Sequence, residues 1–386
     1  MYKSKFIIFL VMITLTANAK EFGRVADVDS LSYAYFLKGD WNQLINLGKS
    51  AAEEGISFKY LQQRMGYAYF MLGDYYNSIR YYKNSLKFDP YDQISHTYLC
   101  YSAINIANES MARYHLSKLN DENRKYFDIK EYRFPDFADL EYNYKINNYV
   151  LRSDPQYKRI GVNIQPGYRL NIYQSVSTFS QITELTDQTI QNEYYASVNY
   201  SLFSATNLNF AYHYVGTKYT TSTDTLNIPG NLLFAKLSQN LRRFDFSLSQ
   251  SVFRNDYNST SQSGVQIGYA FDTKHRIYAK SSLYLMNESD STRLIFNQTA
   301  GALMWKKLWL QGSLTLGNLN NFADNNGLYL YNSMDYTIFR VGGSAFFYWG
   351  KHLTLFTNYT FDKKLTTETL YRYNQHSVTG GFIWKI

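Results

Sequence analysis

From Arg159 to the C-terminus, apolar and polar residues alternate with a period of two in one segment after another. Tyr194, Ala196, Val198, Tyr200 and Leu202 share one face of an extended chain, and Tyr195, Ser197, Asn199 and Ser201 share the other. Phe244, Phe246, Leu248 and Val252 alternate with Asp245, Ser247, Ser249 and Ser251, and Leu353, Leu355, Tyr359 and Phe361 with Thr354, Asn358 and Thr360. The polar partners are Ser, Thr and Asn, where the exposed face of a soluble sandwich would carry Lys and Glu. Aromatic residues make up 18% of the chain, with 39 Tyr and 26 Phe, while charged residues are held to 18% and mean hydropathy is −0.39. An apolar, aromatic outer wall facing lipid and an uncharged polar inner wall explain all of these at once. The alternation therefore predicts an antiparallel transmembrane β-barrel over residues 159–386.

Segment counting predicts about twelve strands, most long enough to cross the apolar layer when tilted. Their spans are 159–179, 190–203, 206–217, 229–241, 243–254, 261–272, 274–287, 291–305, 307–318, 337–349, 352–362 and 372–386. Short turns at 203–206, 241–243, 272–274, 305–307 and 349–352 mostly alternate with longer polar loops, the asymmetry of periplasmic turns and extracellular loops. The stretch 319–336 contains LYLYNS and is read as an extracellular hairpin extension. The last strand, HSVTGGFIWKI, places Val378, Gly380, Phe382, Trp384 and Ile386 on the lipid face. Its Phe382, Trp384 and Ile386 look like the terminal signal read by the barrel assembly machinery, with Ile in place of the usual final Phe.

Residues 1–19 read as a secretory signal peptide: Lys3 and Lys5, an apolar run from Phe6 to Leu15, and Ala17-Asn18-Ala19 before a cleavage point. Residues 20–130 carry a helical repeat with a period of 34, which places Gly39-Asp40-Trp41 in register with Gly73-Asp74-Tyr75. Gly66, Tyr69, Gly73, Tyr75, Tyr82 and Pro90 fall at tetratricopeptide (TPR) consensus positions, with Gly39 and Trp41 in the copy before them. A weaker third copy has Ala103, Ala107 and Ala112 at the small positions. Small residues let paired helices approach closely, and Pro90 stops the second helix. Cys100, the sole cysteine, excludes an intrachain disulfide and reads as a buried thiol in a helix. Residues 131–158, with Pro135 and Pro155, are expected to form a helical or irregular linker.

The architecture, the Gly66–Pro90 repeat and the GGFIWKI ending together resemble the YaiO-type outer-membrane barrel family, with a composition like that of Bacteroidota proteins. More distantly, the plan is similar to exopolysaccharide-export porins, which have larger TPR arrays and wider barrels. The resemblance implies an α + transmembrane β protein of the outer membrane of a Gram-negative bacterium, with a short TPR-like array in the periplasm ahead of the barrel.

Function then divides three ways. A channel or export component for saccharides or other small polar or anionic solutes would use inward-facing Arg169, Lys236, Lys280 and Arg340, with Tyr173, Tyr195, Tyr278 and Tyr284 available to stack on sugar rings. Alternatively these cations pair with Asp245, Asp272 and other acids and fill a closed lumen. A non-conducting anchor would instead recruit an envelope assembly or secretion partner through the TPR segment. An enzyme is disfavoured: His376 and Ser377 are strand neighbours on opposite faces, His213 has no recognisable serine partner, and GxSxG, HExxH and paired-carboxylate motifs are absent. Neither a metal nor a cofactor is expected from the scattered His residues. The net charge of +8 is spread along the chain, so nucleic acid is not an expected partner. Expected partners are outer-membrane lipid, the barrel assembly machinery and a periplasmic protein bound by the TPR segment.

Overall fold

A computed structural model describes residues 24–183, 187–271, 276–288, 291–367 and 369–386. The signal-peptide segment 1–19 and Asp272 lie outside the described residues. Two compact units divide between Asp128 and Ile129.

The first unit is a series of helical hairpins. It comprises α1 over residues 24–38, α2 (Trp41–Glu53), α3 (Lys59–Met71), α4 (Tyr75–Ser85), α5 (Gln93–Asn105), α6 (Glu109–Leu116) and the single turn α7 (Asp121–Arg124). The period of 34 is visible in the backbone itself. Gly39, Gly73 and Ala107 each end the first helix of a pair in the left-handed region, with φ of 74°, 76° and 57°. The residue after each, Asp40, Asp74 or Asn108, stands at the N-cap of the next helix, and the last two accept hydrogen bonds there from Asn77 and Met111. Close helix approach depends on missing side chains. A Cβ on Gly66 would lie 2.8 Å from the ring of Tyr82, and one on Gly48 would lie 2.2 Å from Met65 Sδ. Tyr82 is buried and stacks on Tyr98 at 5.2 Å, Tyr69 stacks on Tyr81 at 5.2 Å, Tyr75 meets Phe70 at 5.6 Å, and Trp41 meets Tyr67 at 5.5 Å. Pro90 lies between α4 and α5. Cys100 is fully buried in α5, and desolvation pushes its thiol up to about 12.

The second unit is a closed antiparallel barrel of 14 strands, not about twelve. Its strands are β1 (Arg133–Asn147), β2 (Gln156–Gly167), β3 (Leu170–Thr183), β4 (Asp187–Phe203), β5 (Thr206–Thr220), β6 (Thr225–Leu241), β7 (Phe244–Asn255), β8 (Ser259–Ala270), β9 (Tyr278–Glu288), β10 (Ser291–Trp305), β11 (Leu308–Leu316), β14 (Tyr336–Trp349), β15 (Leu353–Leu365) and β16 (Arg372–Lys385). Between β11 and β14, β12 (Phe322–Asp324) and β13 (Tyr329–Tyr331) form a separate small hairpin.

Two departures from the sequence expectation account for the count. The segment 159–179 is two strands, turned at 168–169 just after Pro166-Gly167. The supposed linker 131–158 contains β1, which pairs with β2 on one side and closes the barrel against β16 on the other, from Phe137↔Lys385 to Asn147↔Gln375. Leu140, Tyr142, Tyr144 and Ile146 of β1 are exposed on the outer wall, while Asp139, Glu141 and Asn143 are buried inside. Period two thus held through β1, but with charged residues on the inner face. Pro135 sits where the β1–β2 register shifts, the kind of position that tolerates a missing N–H.

Both termini of the barrel lie at one end, beside turns at 168–169, 204–205, 242–243, 306–307 and 350–352. Phe203, Phe244, Trp305, Trp349 and Trp384 form an exposed aromatic rim there. With the apolar outer faces above it, this is the wall of an outer-membrane barrel. Phe382 and Trp384 are exposed on the outer wall, and Ile386 is exposed just beyond the last strand.

Candidate functional site

The 319–336 segment is a hairpin, as the sequence suggests, but it folds inward. It enters from the end opposite the termini and spans the lumen. An outward extension would leave Leu319, Phe322 and Leu328 in water; inside, all three are buried. Leu319 and Phe322 pack with Met286 and Ile295, Ala323 with Leu232 and Phe253, and Leu328 with Tyr195, Ala211 and Phe234. At the tip, Asn325, Asn326 and Gly327 all take left-handed backbone, with φ of 46°, 58° and 82°. Asn tolerates that conformation better than most residues, and Gly has no Cβ to strain.

Polar groups of the wall fix the hairpin around its perimeter. Gln262 of β8 both donates to and accepts from the Ala323 backbone, each at 2.9 Å. Tyr195 donates to the Asn326 carbonyl at 3.1 Å. His213 Nδ1 donates to the Gly327 carbonyl at 2.9 Å, while its Nε2 faces Glu193 at 3.3 Å. Tyr329 donates to Glu141 Oε2 at 2.7 Å, the same oxygen that Arg159 Nη2 holds at 2.6 Å. Arg159 also bonds Asp139 at 2.7 Å and the Tyr173 hydroxyl. On the other side, Arg340 pairs bidentately with Asp362 at 2.6 Å and reaches the Tyr331 hydroxyl. Asp335, at the base of the hairpin, takes Arg152 at 3.0 Å and Tyr373 at 2.7 Å. These pairs are compensated inside the barrel and orient the groups that grip the loop.

The expected pore-lining residues separate into three places. Arg340, Tyr173 and Tyr195 belong to the hairpin clamp or the ion cluster behind it. The Arg340 charge is therefore committed to Asp362 rather than presented to solute. Arg169 is at a turn by the termini, where it donates to the Ser201 and Leu202 carbonyls and lies over the Tyr200 ring. Lys236, Lys280, Tyr278 and Tyr284 line the lumen between the hairpin and the terminal end, on β6 and β9. Lys236 and Tyr284 share a hollow with Ser247, Ser249 and Gln266 of the wall and Asn325 and Asn326 of the hairpin tip. Lys280 lies 5.5 Å over the Tyr278 ring, and the Tyr278 hydroxyl donates to Gln311 at 2.7 Å.

Sequence reasoning missed Glu141, Asp139, Arg159 and Gln262, which hold the hairpin or buttress its contacts. The first two were hidden by reading β1 as a linker. His376 and Ser377 do face opposite ways: His376 meets the Tyr359 hydroxyl on the outer face, and Ser377 is buried inside. Among the described residues, no three His, Cys, Asp or Glu side chains gather in a metal-binding arrangement.

Among solved structures, the chain is similar to the CymD monoaromatic hydrocarbon channel (6% identity, 69% of this chain and 91% of that one, TM-score 0.47). It is also similar to the Ralstonia pickettii toluene transporter TbuX (8% identity, 67% and 90% covered, TM-score 0.46). A third similarity is to a bacterial polysaccharide outer membrane secretin (8% identity, 66% and 100% covered, TM-score 0.39). No protein-family model matches the sequence, and no curated protein does. At such identities and scores nothing about a solute passes from those proteins to this one.

Proposed function

We propose that this chain is an outer-membrane channel for small polar or anionic solutes, saccharides among them, whose lumen is closed at rest by its own hairpin. The observation that carries this reading is how the hairpin is held. Its strands pair only with each other, and it is docked on the wall by apolar packing and by hydrogen bonds from wall side chains, not by strand pairing. Such a segment leaves without unzipping any barrel ladder, whereas a permanent filling gains nothing from that independence. In this reading the terminal end is periplasmic, the hairpin enters from the extracellular side, and the helical unit is a TPR-like periplasmic segment of the YaiO type that engages an envelope partner.

The test is single-channel conductance of the refolded protein in planar bilayers, before and after residues 320–332 are replaced by a short Gly-Ser link. The channel reading expects rare openings in the intact protein and steady steps in the shortened one. A shortened barrel that is folded and silent would overturn it. The second reading, a non-conducting anchor for the helical unit, would then stand, supported by the buried ion pairs that fill the lumen beside the hairpin.

A further inference from the structure

Lys236 and Lys280 are inward-facing cations, Lys280 lying over the Tyr278 ring. Arg159, Arg152 and Arg340 each have a carboxylate partner, but among the described residues no ion pair involves either lysine. Among the described residues the acid on the same patch is Asp245, whose oxygens already accept from Asn240 at 2.6 Å and Ser247 at 3.5 Å. The stems of Asp245 and Lys280 flank Gly268, where an added Cβ would sit 3.4 Å from each. Among the described residues, two ammonium groups stand against one carboxylate, an excess of one positive charge. The neighbouring wall supplies Ser249 and Gln266, uncharged groups that exchange hydrogen bonds with hydroxyls, and the ring of Tyr284. The hairpin contributes Ala323, Asn325 and Asn326 to the lining, the last two at its left-handed tip, and Phe322 behind them packs edge-on against Tyr284 at 5.0 Å.

We infer that this hollow is a binding subsite for a small solute bearing one carboxylate and several hydroxyls, the chemistry of an acidic monosaccharide. Lys236, in the lining, takes the carboxylate with Lys280 beside the hollow adding positive charge, the Ser, Gln and Asn side chains take ring hydroxyls, and Tyr284 receives an apolar sugar face. Because the tip forms part of the lining, occupancy bears directly on the segment that closes the lumen. The inference rests on the channel reading for its purpose, though not for its geometry.

The experiment is titration calorimetry of the refolded full chain in detergent with glucuronate, using glucose as the uncharged control. Glucuronate is expected to bind while glucose does not. Lys236→Gln and Lys280→Gln should each weaken it about tenfold or more, and Arg169→Gln, away from the hollow, should leave it unchanged. Replacing residues 320–332 should also weaken binding, since it removes Asn325 and Asn326. Absence of glucuronate binding to folded protein, equal binding of glucose, or indifference to both lysine changes overturns the inference. If the shortened barrel conducts and glucuronate still fails to bind, the channel reading stands and the subsite falls. If glucuronate binds through the lysines but the shortened barrel is silent, the subsite stands and the channel reading falls.

Discussion

Ala107 shows what a Cβ costs at a left-handed helix end. It occupies the left-handed helix end that Gly39 and Gly73 fill in the preceding repeats, with φ of 57°. An L-residue there carries about 1–2 kcal/mol of strain, offset in part by the extra chain entropy a glycine loses on folding. Ala107→Gly should therefore stabilise the helical unit by roughly 0.5–1 kcal/mol, seen as slower hydrogen exchange in α5 and α6. A faster exchange would mean that the Ala methyl makes a contact worth more than the strain. The buried His96–His115 pair gives a pH prediction. Pro90 O can only accept, so His96 Nε2 donates to it at 3.0 Å, which leaves Nδ1 of the neutral ring to accept from His115 Nδ1 at 2.9 Å. Burial lowers both histidines below their ordinary 6.5, His115 well below. Between the lowered folded values and 6.5 the unfolded chain binds more protons, so stability rises with pH across that window and is lost as pH falls through it. With rates corrected for the intrinsic pH dependence of amide exchange, the helical unit should thus be less protected at pH 5 than at pH 7, and His115→Gln should flatten the dependence. An unchanged slope in that variant would show that other groups set it.

Among the elements, the hairpin is the one whose place the sequence could not give. Its strand-like residues were legible in LYLYNS, and so was its position between two barrel strands. Its direction was not, because inward and outward folding share the same local pattern and differ only in what Leu319, Phe322 and Leu328 meet. Phe322 is the largest of these anchors, buried between Tyr284 and Tyr331. Phe322→Ala should cost the docked hairpin about 3–5 kcal/mol, while the barrel ladder, which it does not join, stays closed. Leu330→Cys provides the readout. Leu330 packs on the Leu232–Phe253 cluster, and the native Cys100 is buried with its thiol pushed up to about 12, so background reaction is slow. Maleimide should label Leu330→Cys slowly when the hairpin is docked and many times faster once Phe322→Ala is added. Equal rates would show that the polar clamp alone keeps the hairpin in place.

For the whole molecule, period two identified the barrel because each strand must present one face to lipid and the other to the lumen. It failed at β1 because Asp136, Asp139 and Glu141 sit where the other strands carry Ser, Thr and Asn. Charge and Pro135 together looked like a linker, although Leu140, Tyr142, Tyr144 and Ile146 kept the alternation. The candidate site was legible only in part: Lys236, Lys280, Tyr278 and Tyr284 do share one region, while Arg340, Tyr173 and Tyr195 serve the inward-folded hairpin, whose place the sequence pattern does not show. The position of β1 makes a strong prediction about where the barrel begins. A chain starting at residue 150 lacks the strand that joins β2 to β16, leaving two unpaired edges and Arg159 without both its carboxylates. Unpaired backbone in lipid costs several kcal/mol per group, and a buried guanidinium without its acids adds to that. Refolded into detergent, residues 129–386 should give the compact, heat-modifiable band of a closed barrel, and residues 150–386 should not. If the shorter chain also runs as a compact band, β2 and β16 can pair directly, and β1 is dispensable to closure.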